Sequence, residues 1–140
     1  MNDPRAAVDY QSVAAFRAAL RRFVRVSEEA ARRHRLTPRQ HLLLLMIKGA
    51  PDGSETSTVS ELCGRLQLAQ STVTELVQRA ETAGLVEREQ SDDDARVVHL
   101  SLTPAGAAAL ARVHSDLSAE RAELARMVAL IERPRESALP

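Results

Sequence analysis

QSTVTELVQRA, residues 70–80, is the stretch that decides the fold. Its apolar side chains are spaced by three, one and three residues, which places them on one stripe of a helix. They are Val73, Leu76, Val77 and Ala80. The other face carries short or flexible hydrogen-bonding groups, namely Gln70, Ser71, Thr72, Thr74, Gln78 and Arg79. Because the major groove of DNA admits a helix and offers hydrogen-bonding base edges, this pattern favours a recognition helix.

The segments on either side of this helix complete a helix-turn-helix with a wing. Thr58 and Glu61 predict a capping box that opens a short helix with Val59, Leu62, Cys63 and Leu66 inward, and residues 67–69 then form a turn without glycine. Gly84 predicts the end of the recognition helix. Residues 85–88 and 97–102 alternate as strands, and the polar segment 91–95 joins them into a hairpin.

Two further helices are predicted between the amino terminus and this unit. Residues from about 8 to 34 form a long helix whose seam repeats in steps of three and four. The seam consists of Val13, Phe16, Leu20, Phe23, Ser27, Ala30 and His34. It predicts pairing with a second subunit, and packing within the same chain is the alternative. Thr37, Pro38 and Gln40 then predict a capped start for a helix that buries residues 42–47 and ends at Gly49.

One more long helix is predicted at the carboxyl end. Thr103 and Pro104 open it, and its apolar stripe continues without a break to residue 131. The stripe consists of Leu110, Val113, Leu117, Leu124, Val128 and Ile131. We therefore divide the single domain into terminal dimerisation helices at 8–35 and 104–131, a winged helix-turn-helix at 37–103 and a tail at 132–140.

Composition narrows the function classes. The chain has 140 residues, of which 27% are charged and 44% hydrophobic, typical of one globular domain. Aromatic residues are only 2%, which argues against base-stacking recognition of single strands or RNA. The longest apolar run, 42–47, is too short for a bilayer, no secretory signal is visible, and the one cysteine excludes an internal disulfide. We therefore expect a cytoplasmic protein without a membrane partner.

Charge is balanced overall but uneven along the chain. The formal net charge is +0, yet residues 17–39 contain eight arginines against Glu28 and Glu29. A balanced total keeps non-specific phosphate binding modest, while a local basic region still attracts DNA. This distribution is typical of a regulator rather than of a DNA-packaging protein.

Taken together, the chain from about Val8 to Ile131 resembles the multiple antibiotic resistance regulator (MarR) family of bacterial winged-helix transcription factors. The resemblance rests on two segments in order, residues 71–74 leading to 84–88, and residues 94–96 leading to 102–106. It implies a mainly α (α+β) fold, a winged helix-turn-helix with a two- to three-stranded wing sheet and long terminal dimerisation helices.

The resemblance also implies partners. It implies a homodimer that places one recognition helix from each subunit in the major groove of a pseudo-palindromic, double-stranded operator. It implies that Arg96 enters the minor groove while Asp94 orients its guanidinium, a role that suits a planar permanent cation near a narrow groove. Family members usually release DNA when a small, often aromatic or phenolic, effector binds near the junction of the dimer and DNA-binding regions.

This sequence departs from the family pattern at three places. The wing carries Asp92, Asp93 and Asp94 together, with Ala95 where the family often has a basic residue. Glu75 stands where many relatives carry arginine; its carboxylate can accept from cytosine N4, but unpaired it would oppose phosphate. The chain also ends soon after the last apolar stripe, which predicts that a further carboxy-terminal helix is missing.

The candidate residues therefore fall into three groups. The predicted DNA-binding residues are Gln70, Ser71, Thr72, Thr74, Glu75, Gln78, Arg79, Asp94 and Arg96. The predicted dimerisation residues are Val13, Phe16, Leu20, Phe23, Leu117 and Leu124. His34 and His41 flank a helix junction and are candidates for an effector pocket, while a metal site or other cofactor is not expected. Cys63 is interpreted as a small inward hydrophobe.

The sequence therefore predicts a sequence-specific DNA-binding transcriptional regulator, a homodimeric repressor released by a small-molecule effector. The alternative is a winged-helix module that binds protein and has weak or no affinity for DNA, and the acidic wing is its best support. An enzyme is not expected, because no set of nucleophile and base, glycine-rich phosphate loop or metal quartet occurs at a workable spacing.

Overall fold

The computed structural model describes residues 10–132, which contain six helices and two strands. In chain order these are α1 (Tyr10–Arg33), α2 (Pro38–Lys48), α3 (Val59–Leu66), α4 (Gln70–Thr82), β1 (Val86–Gln90), β2 (Val98–Leu102), α5 (Pro104–Asp116) and α6 (Ser118–Glu132). The predicted mainly α fold class is confirmed. Residues 8 and 9 of the predicted first helix, and residues 133–140 of the predicted tail, lie outside the described residues.

Helix α2 forms the centre of the core. Leu43, Leu44 and Ile47 are fully buried, and α2 packs against α1, α3, α4, α5 and β2. Its start is fixed by the predicted capping box, in which the Gln40 amide donates to the Thr37 hydroxyl and the Thr37 amide donates to Gln40 Oε1, both at 3.1 Å. These bonds satisfy amides that a helix start otherwise leaves unpaired, so the box determines where the buried helix begins.

The turn between α3 and α4 is made without glycine. Gln67 takes a left-handed backbone conformation with φ of 55°, and its side-chain amide donates to the Gly64 carbonyl at 2.6 Å. Only half of the predicted capping box forms at α3. The Glu61 amide donates to the Thr58 hydroxyl at 3.2 Å, as predicted, but the Glu61 carboxylate accepts from that same hydroxyl, at 3.1 Å.

Arg65 fastens the helix-turn-helix to the rest of the core. Its guanidinium donates to the Met46 carbonyl at 2.9 Å, to Ser57 Oγ at 2.7 Å and to Glu61 Oε2 at 3.0 Å. These bonds join α3, the carboxyl end of α2 and the segment that precedes α3. A guanidinium can serve three acceptors at once because it carries five N–H donors in a plane.

The wing is a two-stranded antiparallel hairpin with one additional bridge. β1 and β2 pair with Val86 opposite Leu102 and Gln90 opposite Val98. Ser57 exchanges two backbone hydrogen bonds with Leu100, at 3.1 and 2.8 Å, which is all that forms of a third strand. Leu100 is fully buried, so the hairpin is attached to the core through the predicted inward face of β2.

The prediction of one continuous carboxy-terminal helix was wrong, and so was the prediction that a further helix is missing. The chain breaks at Leu117, where φ is −103° and ψ is 9°, and α6 follows as a separate helix. Leu117 is 2% exposed and joins the same core as Leu110 and Val113, whereas α6 packs along α1. The apolar spacing continues through the break without glycine or proline, so the sequence pattern gave no sign of it.

Gly106 in the first turn of α5 is required by a close approach rather than merely tolerated. A Cβ at this position would lie 2.0 Å from the carbonyl oxygen of Leu85, just before β1. The Thr103 hydroxyl donates to the Gly84 carbonyl beside it and accepts from the Gly106 amide at 3.1 Å. The start of α5 is therefore held directly against the start of the wing.

We predict that Gly106→Ala destabilises the protein by about 1–3 kcal/mol, because the new methyl group would displace backbone. The matched control is Gly64→Ala in α3, where an added Cβ has no atom within 4 Å. That change should be neutral or stabilise by up to about 1 kcal/mol through helix propensity. Urea unfolding followed by circular dichroism measures both, and equal stability of the two variants would contradict the close contact.

Candidate nucleic-acid interface

The amphipathic pattern of α4 is realised as the sequence predicted. The four residues of the apolar stripe, Val73, Leu76, Val77 and Ala80, are all buried. Gln70, Ser71, Glu75, Gln78 and Arg79 are exposed, while Thr72 and Thr74 at the two margins are half-buried. Burial of one side thus fixes which polar side chains can meet a ligand.

Glu75 lies near the middle of the exposed face, between Ser71 and Gln78. Its Oε1 accepts from an Arg79 guanidinium N–H at 2.6 Å, and the two side chains are 62% and 72% exposed. Such an exposed pair four residues apart contributes little to stability. Its effect is to neutralise two charges and to set the direction of the carboxylate on this face.

A groove of about 390 Å³ runs between α4 and the first turn of α2. Arg39 lines it from α2, while Thr72, Glu75 and Arg79 line it from α4. Sequence reasoning did not select Arg39, because the capping box locates a helix start but not its neighbour in space. The groove therefore has an arginine on each wall beside the exposed face of α4.

The wing places Arg96 at its tip. The side chain is 93% exposed, and Asp94 Oδ1 accepts from the Arg96 amide at 3.0 Å and from Nε at 3.4 Å. The tip is closed by a bond from the Ser91 amide to the Val97 carbonyl at 2.9 Å, and Asp92 and Asp93 are exposed beside it. The Asp94 carboxylate thus orders the loop and leaves most of the guanidinium in solvent.

An ion pair links the wing to α4. Arg88 Nε on β1 donates to Glu81 Oε1 near the end of α4. Gly84, which ends α4 with a φ of 74°, lets the chain turn between these two residues, as the sequence predicted. The end of α4 and the first strand of the wing are consequently held together.

A second cavity, of about 320 Å³, lies where α1, α5 and α6 meet α2. Phe23, Leu110 and Leu117 contribute apolar walls, and His41 lies at its side, buried. Burial lowers the pKa of His41. We call this space the junction cavity.

Polar groups line the junction cavity from all four helices, namely Ser27 and Glu28 from α1, His41 from α2, His114 from α5 and Arg121 from α6. Arg121 donates to the His114 carbonyl at 2.7 Å and lies 3.1 Å from His114 Nε2. Because a guanidinium has no acceptor, Nε2 accepts in this contact. His114 is exposed and Arg121 is half-buried. Sequence reasoning selected neither for the pocket, since neither is near His41 in sequence.

His34, the other histidine proposed for an effector pocket, lies elsewhere. Its Nε2 is 2.8 Å from Asp116 Oδ2, to which Arg33 also donates at 3.2 Å. These hydrogen bonds, with His34 first, lower the pKa of Asp116. The cluster ties the end of α1 to the end of α5. Among residues 10–132, no group of three His, Cys, Asp or Glu side chains is placed to hold a metal.

The candidate dimerisation residues differ in how far they are buried within the single subunit. Leu117 belongs to the core of its own subunit, while Phe16, Leu20, Phe23 and Leu124 are half-buried and Val13 is exposed. Further large apolar side chains are exposed on the same two helices, namely Tyr10 and Val24 on α1 and Val128, Leu130 and Ile131 on α6. These two helices pack along each other.

The chain is similar in sequence and in structure to MarR family transcription regulators. A sequence model of the MarR family matches residues 35–97, which span α2 to the wing. Among solved structures, a MarR family transcription regulator is similar with 28% identity and a TM-score of 0.69, covering 86% of this chain and 80% of its own. Apo MarR from Escherichia coli has 26% identity and a TM-score of 0.68, covering 89% and 93%.

A third similar structure is the transcriptional regulator MosR of Mycobacterium tuberculosis in complex with DNA. It has 29% identity and a TM-score of 0.59, covering 79% of this chain and 77% of its own. Among curated proteins, none matches this chain in sequence. Within residues 10–132, no helix combines the length and the apolar character needed to cross a bilayer.

We predict that His41 makes stability depend on pH. A histidine whose pKa is lowered by folding binds fewer protons than it does in the unfolded chain, so stability rises with pH near its ordinary pKa of about 6.5. Its contribution is therefore favourable at pH 7.5 and is lost as pH falls. In His41→Gln, the urea midpoint should change less between pH 7.5 and 5.5 than in the wild type. An unchanged pH dependence would contradict the buried, neutral imidazole.

Proposed function

We propose that this chain is a MarR-family winged-helix regulator that controls transcription by binding double-stranded DNA sequence-specifically. The observation that carries the proposal is the exposed polar face of α4 together with a wing whose first strand is ion-paired to the end of α4. The polar face of α4 is exposed over its whole length, and Arg96 projects from the wing tip with a 93% exposed side chain. A helix in the major groove and a guanidinium in the neighbouring minor groove match these two features.

The contacts around each feature support distinct roles. On α4, neutral hydroxyl and amide groups such as Ser71, Thr74 and Gln78 can donate to or accept from base edges. Beside them, Arg39 and Arg79 line the groove next to α4, where DNA backbone would pass. At the wing, Asp94 holds the backbone of Arg96 while leaving its guanidinium exposed, consistent with insertion into a narrow minor groove.

The acidic residues of the wing favour a second candidate, a winged helix that binds protein. Asp92 and Asp93 are exposed and would be repelled by phosphate. A protein-binding surface would tolerate them, and a basic partner would be attracted by them. The two candidates differ in whether binding of DNA depends on Arg96.

We predict that Arg96→Ala weakens binding to a duplex selected from a random library by the wild-type protein, by about tenfold. The slope of log affinity against log salt should also fall by about one, because one phosphate-proximal cation is lost. Fluorescence anisotropy over a salt series measures both. The matched control is Arg126→Ala on α6, a helix that packs against α1 and α5.

Two results would contradict this assignment. One is that the wild type selects no duplex above its non-specific background, which would favour the protein-binding candidate. The other is that Arg96→Ala matches the wild type in both affinity and salt dependence, which would remove the wing from the DNA interface.

We propose that the protein acts as a homodimer held by its terminal helices. Support comes from the apolar side chains exposed on α1 and α6, among them Tyr10 at 78% and Leu130 at 54%. Large apolar side chains that are exposed on two helices packed along each other are typical of a subunit interface. A two-fold pairing would present two α4 helices to the two halves of a pseudo-palindromic operator.

We predict that Val13→Asp shifts the protein from dimer to monomer, since the charge would have to be buried at the interface. Because Val13 is exposed in the single subunit, the fold should be retained. Ser60→Asp, on the exposed side of α3, is the matched control and should leave the mass unchanged. Light scattering with circular dichroism measures mass and folding together, and a Val13→Asp protein that remains dimeric at micromolar concentration would contradict the interface.

The finer proposal is a repressor released by a small aromatic or phenolic effector bound in the junction cavity. The cavity has apolar walls, a few polar groups and a volume of about 320 Å³, which suits a small ring compound. Its lining comes from α1, α5 and α6 as well as from α2. An occupant would therefore contact the dimerising helices and the central helix of the DNA-binding unit at once, which is how binding there could change the separation of two α4 helices.

A further inference from the structure

Glu75 is the carboxylate near the centre of the exposed face of α4. Because the apolar stripe on the other side of α4 is buried, the helix is fixed with this residue outward. We propose that Glu75 recognises a cytosine in each half of the operator, with Arg79 as its positioning residue. This inference rests on the DNA-binding function proposed above.

The choice of base follows from hydrogen-bonding chemistry. An ionised carboxylate only accepts, so it has no favourable contact with the N7 and O6 of guanine or the O4 of thymine. Cytosine presents the N4 amino group as a donor in the major groove. Adenine also presents a donor at N6, but the adjacent N7 acceptor would repel the carboxylate, whereas a glutamine amide can satisfy both.

The contact with Arg79 lets a carboxylate work close to phosphate. One oxygen, Oε1, holds the guanidinium at 2.6 Å, and a carboxylate has a second acceptor oxygen for a base. The guanidinium keeps further N–H groups for a phosphate oxygen. Arg39 lines the same groove from α2 and adds a second cation on that side. The negative charge of Glu75 is thus offset where it would otherwise repel DNA.

The alternative reading of Glu75 is simple repulsion. In that case the carboxylate weakens binding to every duplex through its charge, and its removal strengthens binding regardless of sequence. Removal of the carboxylate abolishes a base preference in the first reading and leaves base preferences unchanged in the second, so the preference decides between them.

The experiment is selection of duplexes from a random library by the wild type, Glu75→Ala, Glu75→Gln and Gln78→Ala, followed by anisotropy on single-base variants of the selected site. We expect the wild type to prefer a C·G pair at symmetric positions by roughly fivefold over the other pairs, the lower range for one base contact. Glu75→Ala should lose this preference, and Glu75→Gln should shift it to adenine. Gln78→Ala, the neighbouring control, should retain the cytosine.

The role of Arg79 has its own readout. Arg79→Gln should reduce the cytosine preference as well as the affinity, and Arg79→Lys, which keeps the positive charge, should restore the preference in part. If both variants lose affinity while the full cytosine preference remains, Arg79 is a phosphate contact and not the positioning residue.

The outcomes separate this inference from the proposed function. If Glu75→Ala binds all duplexes more tightly with unchanged preferences, the cytosine assignment is overturned while DNA binding stands. If the wild type enriches no sequence at all, the proposed DNA-binding function fails and the assignment fails with it.

Discussion

Burial of α2 is the constraint on which the rest of the structure depends. Leu43, Leu44 and Ile47 are fully enclosed, and the surrounding elements pack on this one helix. Since closely packed side chains admit few alternative arrangements, the position of α4 relative to α1 and α5 follows from how each fits α2. The exposed face of α4 and the junction cavity are therefore both positioned by packing against α2.

Local signals in the sequence were sufficient for most element starts and for both faces of α4. Two helix starts could be predicted from the hydroxyl caps Thr37 and Thr103, each of which is followed by proline. The amides that these caps satisfy lie within the next few residues, so the signal is local in sequence. The break at Leu117 was not predictable, since its cause is packing into a core built from distant residues. Arg39 and Arg121 were missed for the same reason. Arg39 lies beside α4 and Arg121 lies beside His114 only in the folded chain.

The distribution of charge is more informative than its sum of zero. Three acidic groups on the proposed DNA surface have cationic partners: Glu75 contacts Arg79, Glu81 contacts Arg88, and Asp94 contacts Arg96. Paired charges of this kind contribute little to stability when exposed. Each pair does reduce the long-range attraction of its cation to arbitrary phosphate. A neutral total is thus compatible with selective binding.

The contact between Gly106 and Leu85 also bears on where residues can be inserted into or deleted from this chain. The beginning of α5 meets the beginning of β1, and Ser57 is bridged to Leu100, so both strands are anchored at the end nearest the core. A residue inserted in either anchored end would shift the register of the hairpin, so that side chains of β2 that now face the core would face solvent. The tip at residues 92–96 is free of these anchors. Divergent descendants of this sequence should therefore gain or lose residues at the tip, extending or shortening the reach of the arginine while the anchored base of the hairpin stays constant.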